Sequence, residues 1–480
     1  MPLATSRPSN SVSEQSCLKQ AAQPAKVFRR HPLSVAVVSF LSSPAIVLGN
    51  TITKEGSTDT SVQVDGNVTD ITTSTVKGNS GFNSFGRFEV ASGNTVNLHL
   101  PSGTDNLVNL VHNAQAQING TLNGMKGGRI GGNIIFADPH GFVVGAAGIV
   151  NVGSLVVTTP TPDEMSRILD NLDDAGVSGI EMDEHIGLLM RGELDQAADA
   201  EILIQGQINA KGAISLIGAS VVVANGARLE GGADDAALDV FKASVNVEGM
   251  ATGDDIQARD GVISIVSSET TEVSGELVAL MEDDSGVSVS VDSQGATNIA
   301  GTIETKGGDA HVRSNSSVTL HEGGHIDTRV DDNVEAGAGD VEIAVNDKKA
   351  ATDNLAWDPV TTNAEVNLNG QINAANVNVT AAAESSVGLT MDYLEQLADG
   401  EFDLTIGEVN TPLSELPLEL AYMEARANAN IQVGGTAKIE AAGDITLDSW
   451  SSQTTKNQSY NLGASKWASC LLYTSDAADE

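Results

Sequence analysis

A short pattern recurs along the chain and constrains its fold more than any other feature of the sequence. An apolar residue, any residue, glycine, any residue and a second apolar residue follow one another around six glycines: Gly66, Gly120, Gly206, Gly275, Gly301 and Gly370. From Gly120 onward the glycines are 86, 69, 26 and 69 residues apart, loosely multiples of about 22 residues, the length of one coil of a β-solenoid. One coil cannot bury its apolar face alone, so the pattern predicts coils that stack on one another. We expect glycine at the corners because it adopts positive φ freely.

The segments around these glycines predict an all-β fold. Runs such as "TSVQVDGNV", "NTVNLHL" and "GFVVG" alternate apolar and polar residues and are interrupted by Gly and Asn, which is typical of short strands joined by tight turns. We therefore expect a β-solenoid that starts in residues 50–160 and continues through 201–386 and 426–467. Two segments that lack the alternation, 161–200 and 387–425, are predicted to be insertions.

Both insertions have the periodicity of helices. In the first, Thr161 is suited to be an N-cap, Pro162 to occupy the first turn and Glu164 to complete a capping box, and Gly176 is expected to end the helix. The second contains "TMDYLEQLADG" and "PLSELPLELAYMEARA". We expect both insertions to pack against the flank of the solenoid.

The composition limits the partners and the chemistry. Asp and Glu number 64 against 25 Lys and Arg, a net charge of −39, which argues against nucleic acid because phosphates require Lys or Arg. Only 3% of the residues are aromatic, so the core must consist of Val, Ile, Leu and Ala. Cys17 and Cys470 are the two cysteines, which excludes a disulfide scaffold and thiol catalysis for residues 50–467.

The two ends of the chain differ from its body. A basic cluster precedes an apolar run from Leu33 to Leu48, and small residues follow it. This arrangement predicts that residues 1–49 are a signal peptide with a long polar start. Pro44 interrupts the run, which disfavours a retained membrane anchor. Residues 468–480, with "SCLLYTSDAADE", resemble a translated cloning scar, so we exclude them from the fold and expect the native chain to continue.

Four motifs occur in a fixed order from Gly81 onward: "GFNSFGRFEV", "NLVNLV", "INGTL" and "NIIFADPHGFVVGAAGIVNVGSLVVTTP". In this order they resemble the secretion domain of filamentous-haemagglutinin-like exoproteins, which are exported by two-partner secretion, and are most similar to the leukotoxin A-type filamentous adhesins. The resemblance implies that residues 50–160 are a two-partner secretion domain, which begins a right-handed parallel β-helix with an N-terminal cap. It also implies a dedicated outer-membrane β-barrel transporter, whose periplasmic domains bind the secretion domain.

The same resemblance points to residues for transporter recognition. The family's marker N-P-N-G-I corresponds here to "DPHGF", in which Pro and Gly are kept and Asp, which also caps turns, replaces the first Asn. A second marker corresponds to "NVGSL", and an earlier Asn-rich motif corresponds to "NLVN". The candidate recognition residues are Asn106, Leu107, Asn109, Asp138, Pro139, His140, Gly141, Phe142, Asn151 and Gly153.

The stretch "HEGGH" at His321–His325 matches the zinc-protease pattern H-E-x-x-H. In that pattern both histidines lie on one helix and the Glu acts as a base. Two central glycines would cost about 2 kcal/mol of helix propensity, and both flanks are strand-like. Moreover, "VVVANGARLEGG" from Val221 aligns with "VTLHEGGHIDTR" from Val318, so the same turn occurs without histidines. We therefore predict a solenoid corner with no metal and no cofactor.

Acidic doublets provide an enzymatic alternative. A polysaccharide lyase or hydrolase on a β-helix, or a Ca²⁺ site, would use such carboxylates. They are Asp234-Asp235, Asp254-Asp255, Glu282-Asp283-Asp284 and Asp331-Asp332. In so acidic a chain doublets are expected everywhere, and aromatic residues that stack on sugars are scarce.

The sequence therefore favours a non-enzymatic filamentous adhesin, secreted by a Gram-negative bacterium or held at its surface. Its N-terminal domain is expected to direct export through the transporter and to nucleate the β-helix. A β-helix carbohydrate-active enzyme and a passive cell-surface solenoid are the alternatives. No receptor can be named from these residues.

Overall fold

The computed structural model describes eight segments of the chain: residues 49–232, 262–280, 286–330, 339–352, 360–388, 403–406, 409–412 and 425–456. All of them belong to one of two compact units, Val47–Glu480. Within these segments the chain forms 35 strands and two helices, which confirms the predicted all-β class. The predicted signal peptide, apart from Gly49, and the tail at 468–480 lie outside the described residues.

The strands of the N-terminal cap are β1 (Thr51–Lys54), β2 (Thr60–Asp65), β3 (Val68–Thr73) and β4 (Val76–Lys77). The first coils contain β5 (Ser80–Val90), β6 (Thr95–His99), β7 (Asn106–Val111), β8 (Ala116–Ile118), β9 (Thr121–Lys126), β10 (Arg129–Ile130), β11 (Asn133–Ala137), β12 (Phe142–Val144), β13 (Ile149–Val152) and β14 (Ser154–Thr158). Two helices follow, α1 (Pro162–Asp173) and α2 (Gly179–Arg191).

The remaining strands are β15 (Glu201–Ile204), β16 (Gln207–Ala210), β17 (Ile214–Val223), β18 (Arg228–Gly231), β19 (Ile263–Val273), β20 (Glu276–Ala279), β21 (Val287–Ser293), β22 (Ala296–Ile299), β23 (Thr302–Thr305), β24 (Asp309–Ser314), β25 (Ser317–Leu320), β26 (His325–Asp327), β27 (Val341–Thr352), β28 (Val360–Leu368), β29 (Gln371–Ala374), β30 (Val377–Gly388), β31 (Asp403–Ile406), β32 (Val409–Pro412), β33 (Ala425–Val433), β34 (Lys438–Ala441) and β35 (Ile445–Lys456).

The coils stack as three parallel ladders, so the predicted parallel β-helix is confirmed. Ladder 1 consists of the first half of β5, then β7, β11, β14, β17, β19, β21, β24, β27, β30 and β35. Ladder 2 consists of the end of β5, then β8, β12, β15, the ends of β17 and β19, β22, β25, β28 and β33. Ladder 3 consists of β3, β6, β9, β13, β16, β18, β20, β23, β26, β29 and β34.

The cap closes the first coil with antiparallel strands. Strand β1 pairs with the end of β5, β2 forms a hairpin with β3, and β4 pairs with the start of β5. Strand β3 pairs antiparallel with β2 on one side and parallel with β6 on the other. It is therefore the first strand of ladder 3.

Nine successive coils each contribute one inward side chain to a row along ladder 1, here called the inward file. Successive members Ile263, Val289 and Ala310 are 26 and 21 residues apart, which agrees with the predicted coil length. Burial of each branched side chain contributes about 1.5–3 kcal/mol, so the apolar pattern must recur on every coil. The file consists of Leu107, Ile134, Leu155, Ile214, Ile263, Val289, Ala310, Val341 and Val377.

Five of the six pattern glycines immediately precede a strand of ladder 3, and none of the five has a positive φ. The expected reason for glycine is therefore wrong at these positions. A Cβ atom on Gly301 would lie 2.0 Å from the carbonyl oxygen of Gly275, and one on Gly370 would lie 2.3 Å from that of Gly324. Glycine is required because the corner backbones of successive coils touch. Gly66 lies between β2 and β3 and has a φ of 60°, so at this position glycine is required for positive φ, as expected.

The insertion predicted at residues 161–200 is helical. Helices α1 and α2 leave the solenoid between β14 and β15 and pack against the outer face of ladder 1. Their apolar side chains contact residues that alternate with the inward file. The contacting residues are Met165, Ile168, Met182, Ile186 and Leu189 of the helices, and Phe82, Val108, Leu110, Ile135, Ala137, Val156 and Ile217 of the ladder.

The caps of these helices differ in part from the prediction. The hydroxyl of Thr161 accepts the N–H of Glu164 at 3.4 Å, but the Glu164 carboxylate bonds to Arg167 and does not return to the N-cap. The complete capping box is at the start of α2, between Ser178 and Glu181. Helix α1 ends at Asp173, and its C-cap Asp174 is extended, so the helix stops before the glycine expected to end it.

The second predicted insertion, at 387–425, lies largely outside the described residues. Strand β30 continues to Gly388, β31 and β32 form an antiparallel hairpin, and β33 begins at Ala425. "TMDYLEQLADG" therefore lies outside the described residues, whereas "PLSELPLELAYMEARA" begins in β32 and ends in β33 at residues predicted to be helical. Neither described helix is long and apolar enough to cross a membrane.

Candidate functional site

The "DPHGF" marker forms a tight turn at the corner between ladders 1 and 2, where it joins β11 to β12. The N–H of Gly141 donates to the carbonyl of Asp138 at 3.1 Å, and the N–H of His140 donates to the Asp138 carboxylate at 2.8 Å. Gly141 has a φ of 100°, and a Cβ on it would lie 2.3 Å from the carbonyl oxygen of Glu201. Glycine is thus required both for the turn and for the next coil.

Asp138 connects this turn to the coils on both sides. Its second carboxylate oxygen accepts the N–H of Ala116 in the preceding coil at 2.8 Å, and its own N–H donates to Thr158 in the following coil. The side chain is fully buried, and burial raises its pKa to about 6 although the N–H groups of His140 and Ala116 favour the charged form. At neutral pH the turn therefore holds a buried carboxylate that is stabilised by backbone N–H groups.

Phe142, the last residue of the marker, belongs to the interior. Its ring centroid lies 5.1 Å from that of Phe136, which lies 5.2 Å from that of Phe88, and Phe88 in turn lies 5.0 Å from Phe85. These contacts, two edge-on and one tilted, make a continuous aromatic row through the first coils. In the marker, His140 is exposed and Pro139 half-buried, whereas the other three residues are buried.

The candidates on β7 connect coils from the inside. Asn106 accepts a bond from Asn133 at 2.8 Å and is half-buried. Leu107 is in the core, and Asn109 is fully buried beside it. The Asn109 amide accepts from Asn83 at 3.0 Å and donates to two backbone carbonyls.

Through Asn83 this interior polar row reaches the cap. The hydroxyl of Thr60 in β2 donates to the Asn83 side chain at 2.9 Å. Asn109, which appeared only as part of a motif, is thus one end of a buried link between β2 and β7.

Asn151 and Gly153 lie elsewhere, on ladder 3 and at the corner that follows it. Asn151 donates to Asn123 at 3.0 Å and accepts from Asn209 at 3.0 Å, while Asn123 donates to Asn97 at 3.0 Å. The row ends on the Asp70 carboxylate, which accepts from Asn97 and His99. Burial alone would raise the pKa of Asp70, but these two hydrogen bonds hold it below its usual value.

The candidate residues therefore occupy three separate places and do not form one surface. Within ladder 3, the side chains of Asn97, Asn123, Asn151 and Asn209 form a row of hydrogen bonds, here called the asparagine ladder. This row was not predicted, because each asparagine was considered alone. Its signal is an apolar residue followed by Asn at one position of successive coils, as in "LN", "VN" and "IN".

A family model described as the TPS secretion domain matches residues 50–312, more than half of the chain. The chain belongs to the TPS secretion domain family. It is a two-partner-secretion exoprotein, which a partner transporter exports across the outer membrane. No curated protein matches the chain. The match extends beyond the region 50–160 assigned from the motifs and includes α1, α2 and the coils as far as β24.

Within the TPS secretion domain, a polar cluster next to the marker turn was not predicted. The hydroxyl of Ser84 donates to Glu55 at 2.8 Å and contacts Nε2 of His112 at 3.1 Å. The hydrogen bond from Ser57 lowers the pKa of Glu55, and burial lowers that of His112. In a Ser-His-acid relay the His lies between the Ser and the acid. Here the fully buried Ser84 lies between Glu55 and His112, so the three groups do not form such a relay. The cluster therefore connects the β1–β2 loop to the corners of the first coils.

The "HEGGH" stretch lies beyond the TPS match, as a turn between β25 and β26 rather than on a helix. His321 and Ala224 hold equivalent positions. The backbone N–H of each donates to a carbonyl of the preceding coil at 2.8 Å, and its own carbonyl accepts the N–H of the residue three positions later. The predicted alignment of the two turns is confirmed. Nε2 of His325 contacts the amide of Asn373 at 2.9 Å. The four acidic doublets lie outside the described residues.

Proposed function

We propose that the TPS secretion domain directs export of a filamentous adhesin of the leukotoxin type, and that the periplasmic domains of the transporter bind the marker segments before these segments fold. Residues 1–49 act as the signal peptide that delivers the chain to the periplasm. Outside the cell, the cap and the first coils fold and nucleate the rest of the β-helix.

The burial of the marker residues supports recognition before folding. Leu107, Asn109, Asp138 and Phe142 have no exposed surface in the folded domain. A partner that binds these side chains must therefore meet them in an unfolded chain. His140 is the marker residue that a folded-state partner could reach, since 44% of its side chain is exposed.

The pairing of the cap supports nucleation. The β2–β3 hairpin is local in sequence, and β3 pairs with β6 along Val68–Ile71. Hairpins form early because their loop closure is short. Each later coil then has a preformed edge to pair with, as in other solenoids where contacts are between neighbours.

The experiment is site-specific photo-crosslinking during export of the full chain with its partner transporter. A photoreactive residue replaces Asn109, which is buried after folding, or His140, which stays exposed. We expect both positions to crosslink to the periplasmic domains. A matched control position, His321, lies on an exposed corner beyond residue 312 and should not crosslink.

The outcomes separate the two modes of recognition. Crosslinks from position 140 without any from position 109 would show that the transporter binds a folded surface, which contradicts the proposal. Normal export after scrambling Asp138–Phe142, while a scrambled His321–Gly324 turn also exports normally, would remove the marker from recognition altogether.

A further inference from the structure

The helical insertion, here called the strap (residues 161–196), is anchored at its base. Gln196 Oε1 accepts the N–H of Thr159 at 3.0 Å and the hydroxyl of Thr158 at 3.2 Å. The N–H of Thr161 donates to the carbonyl of Asp195 at 2.9 Å. These contacts bring the two ends of the strap together at the corner after β14, one coil beyond the marker turn.

The tip of the strap, which consists of the end of α1 and the start of α2, contacts the turn between β4 and β5. The Lys77 ammonium donates to the backbone carbonyls of Asn171 at 2.6 Å and Asp174 at 2.7 Å. These carbonyls are at the C-terminal end of α1, where a cation satisfies unpaired groups and complements the helix dipole. On the other helix, the Asp183 carboxylate accepts the N–H of Asn79 at 2.7 Å.

Two glycines allow this close approach. A Cβ added to Gly78 would lie 2.5 Å from the carbonyl oxygen of Gly179, and one added to Gly179 would lie 3.0 Å from the Gly78 backbone. The backbones of the tip and of the β4–β5 turn therefore touch at these two glycines.

Between base and tip the strap covers the apolar outer face of ladder 1. Six residues of β5, β7, β11 and β14 under it are no more than 6% exposed. If the strap lifted, these residues would form a continuous apolar surface on otherwise polar coils. They are Phe82, Val108, Leu110, Ile135, Ala137 and Val156.

We propose that the strap is a closing device that locks the cap onto the coils, and that it opens and closes independently of the ladders. Its tip contacts join residues 94 to 104 positions apart in sequence, whereas the asparagine ladder from Asn97 to Asn151 joins residues 26 and 28 positions apart. Neither helix takes part in ladder pairing. The strap thus closes after the coils have formed and opens without breaking a rung.

The test is the alkylation rate of a cysteine placed under the strap. The full chain carries Ala137→Cys, with Cys17 and Cys470 replaced by Ser, so that one thiol remains. Lys77→Met removes the charged hydrogen bonds of the tip, and we expect alkylation at position 137 to become about 10-fold faster or more. The matched control Lys438→Met, which removes an exposed ion pair with Glu440, should leave the rate unchanged.

A second variant separates docking from helix stability. Gly179→Leu raises the helix propensity of α2 but places a side chain between the tip and the β4–β5 turn. Faster alkylation in this variant therefore reports undocking. An unchanged rate in both Lys77→Met and Gly179→Leu would overturn the proposal. So would an equal acceleration at Ala310→Cys in the coil core, because it would mean that the strap and the ladders open together.

Discussion

The carboxylate of Asp138 accepts the backbone N–H of Ala116, one coil earlier, at 2.8 Å. Its other oxygen accepts the N–H of His140 within the same turn. An asparagine, which has one carbonyl oxygen, would provide a single acceptor atom for these two N–H groups. The aspartate therefore satisfies both the turn and its neighbour, at the cost of a buried charge.

This buried charge predicts a pH dependence of stability. The pKa of Asp138 is raised from 3.8 to about 6 in the folded domain, so the folded state holds the proton more tightly than the unfolded state. Stability should fall as the pH rises from about 4 to about 6, by about 3 kcal/mol in total. Asp138→Asn should remove this component, as measured by urea unfolding of the full chain across this pH range.

The control for this measurement is Asp65→Asn, which changes an exposed carboxylate in β2. It should keep the slope of the parent chain. An Asp138→Asn variant with that same slope would show that Asp138 does not titrate differently in the two states.

The five corner glycines that precede strands of ladder 3, here called the glycine column, predict a sharp contrast between two Gly→Ala substitutions. They are Gly120, Gly206, Gly275, Gly301 and Gly370. At Gly275 the new methyl would lie 2.6 Å from the carbonyl oxygen of Ala224 and 2.7 Å from that of Ala227. We expect a loss of about 1–3 kcal/mol in the free energy of unfolding. At Gly323 the nearest atom is 3.4 Å away, so Ala there should be almost neutral. Equal effects at both sites, measured by urea unfolding, would contradict the close-approach explanation.

The asparagine ladder predicts a large effect from a small change. Asn123→Ala removes one bond donated to Asn97 and one accepted from Asn151, so the Asn97 carbonyl oxygen and the Asn151 NH2 group lose these partners beside a nearly dry position. The expected cost is about 2–4 kcal/mol. Thr121→Ala, on the same strand but half-buried, should cost much less. Similar thermal midpoints for the two variants would show that water replaces the ladder bonds.

Substitutions of Phe142 test whether this marker residue stabilises the core. Phe142→Ala should destabilise the domain by about 3–5 kcal/mol, since it empties the end of the aromatic row. Phe142→Leu keeps most of the volume and should cost less than half as much. If both variants unfold at the parent's urea concentration, the aromatic row contributes nothing to stability.

The coil architecture was predictable because it repeats. The alignment of Val221 with Val318 placed Arg228 opposite His325, and the ladder pairing confirms that both lie in one column. Repetition showed where glycine was required. It did not show why, because a backbone contact between coils and a positive φ both select glycine.

The site was less predictable, for physical reasons. Asn109 faces the interior between Leu107 and Val111, and a single polar residue in an apolar run does not indicate which partner will satisfy it. The α1 pattern revealed an apolar helix face but not the surface it covers. Lys77 meets the end of that helix 94 residues later in the chain, a distance over which local patterns carry no information.

The glycine column has a consequence for how such a chain changes in length. Gly301 contacts the carbonyl of Gly275, its counterpart one coil earlier, and Gly370 contacts the carbonyl of Gly324 in the same way. Duplication of the 26 residues from Gly275 to Ala300 would add one rung to each ladder. The one new junction, between the two copies, would again have glycine at its corner. The solenoid can therefore gain or lose a whole coil without a side-chain clash at this corner.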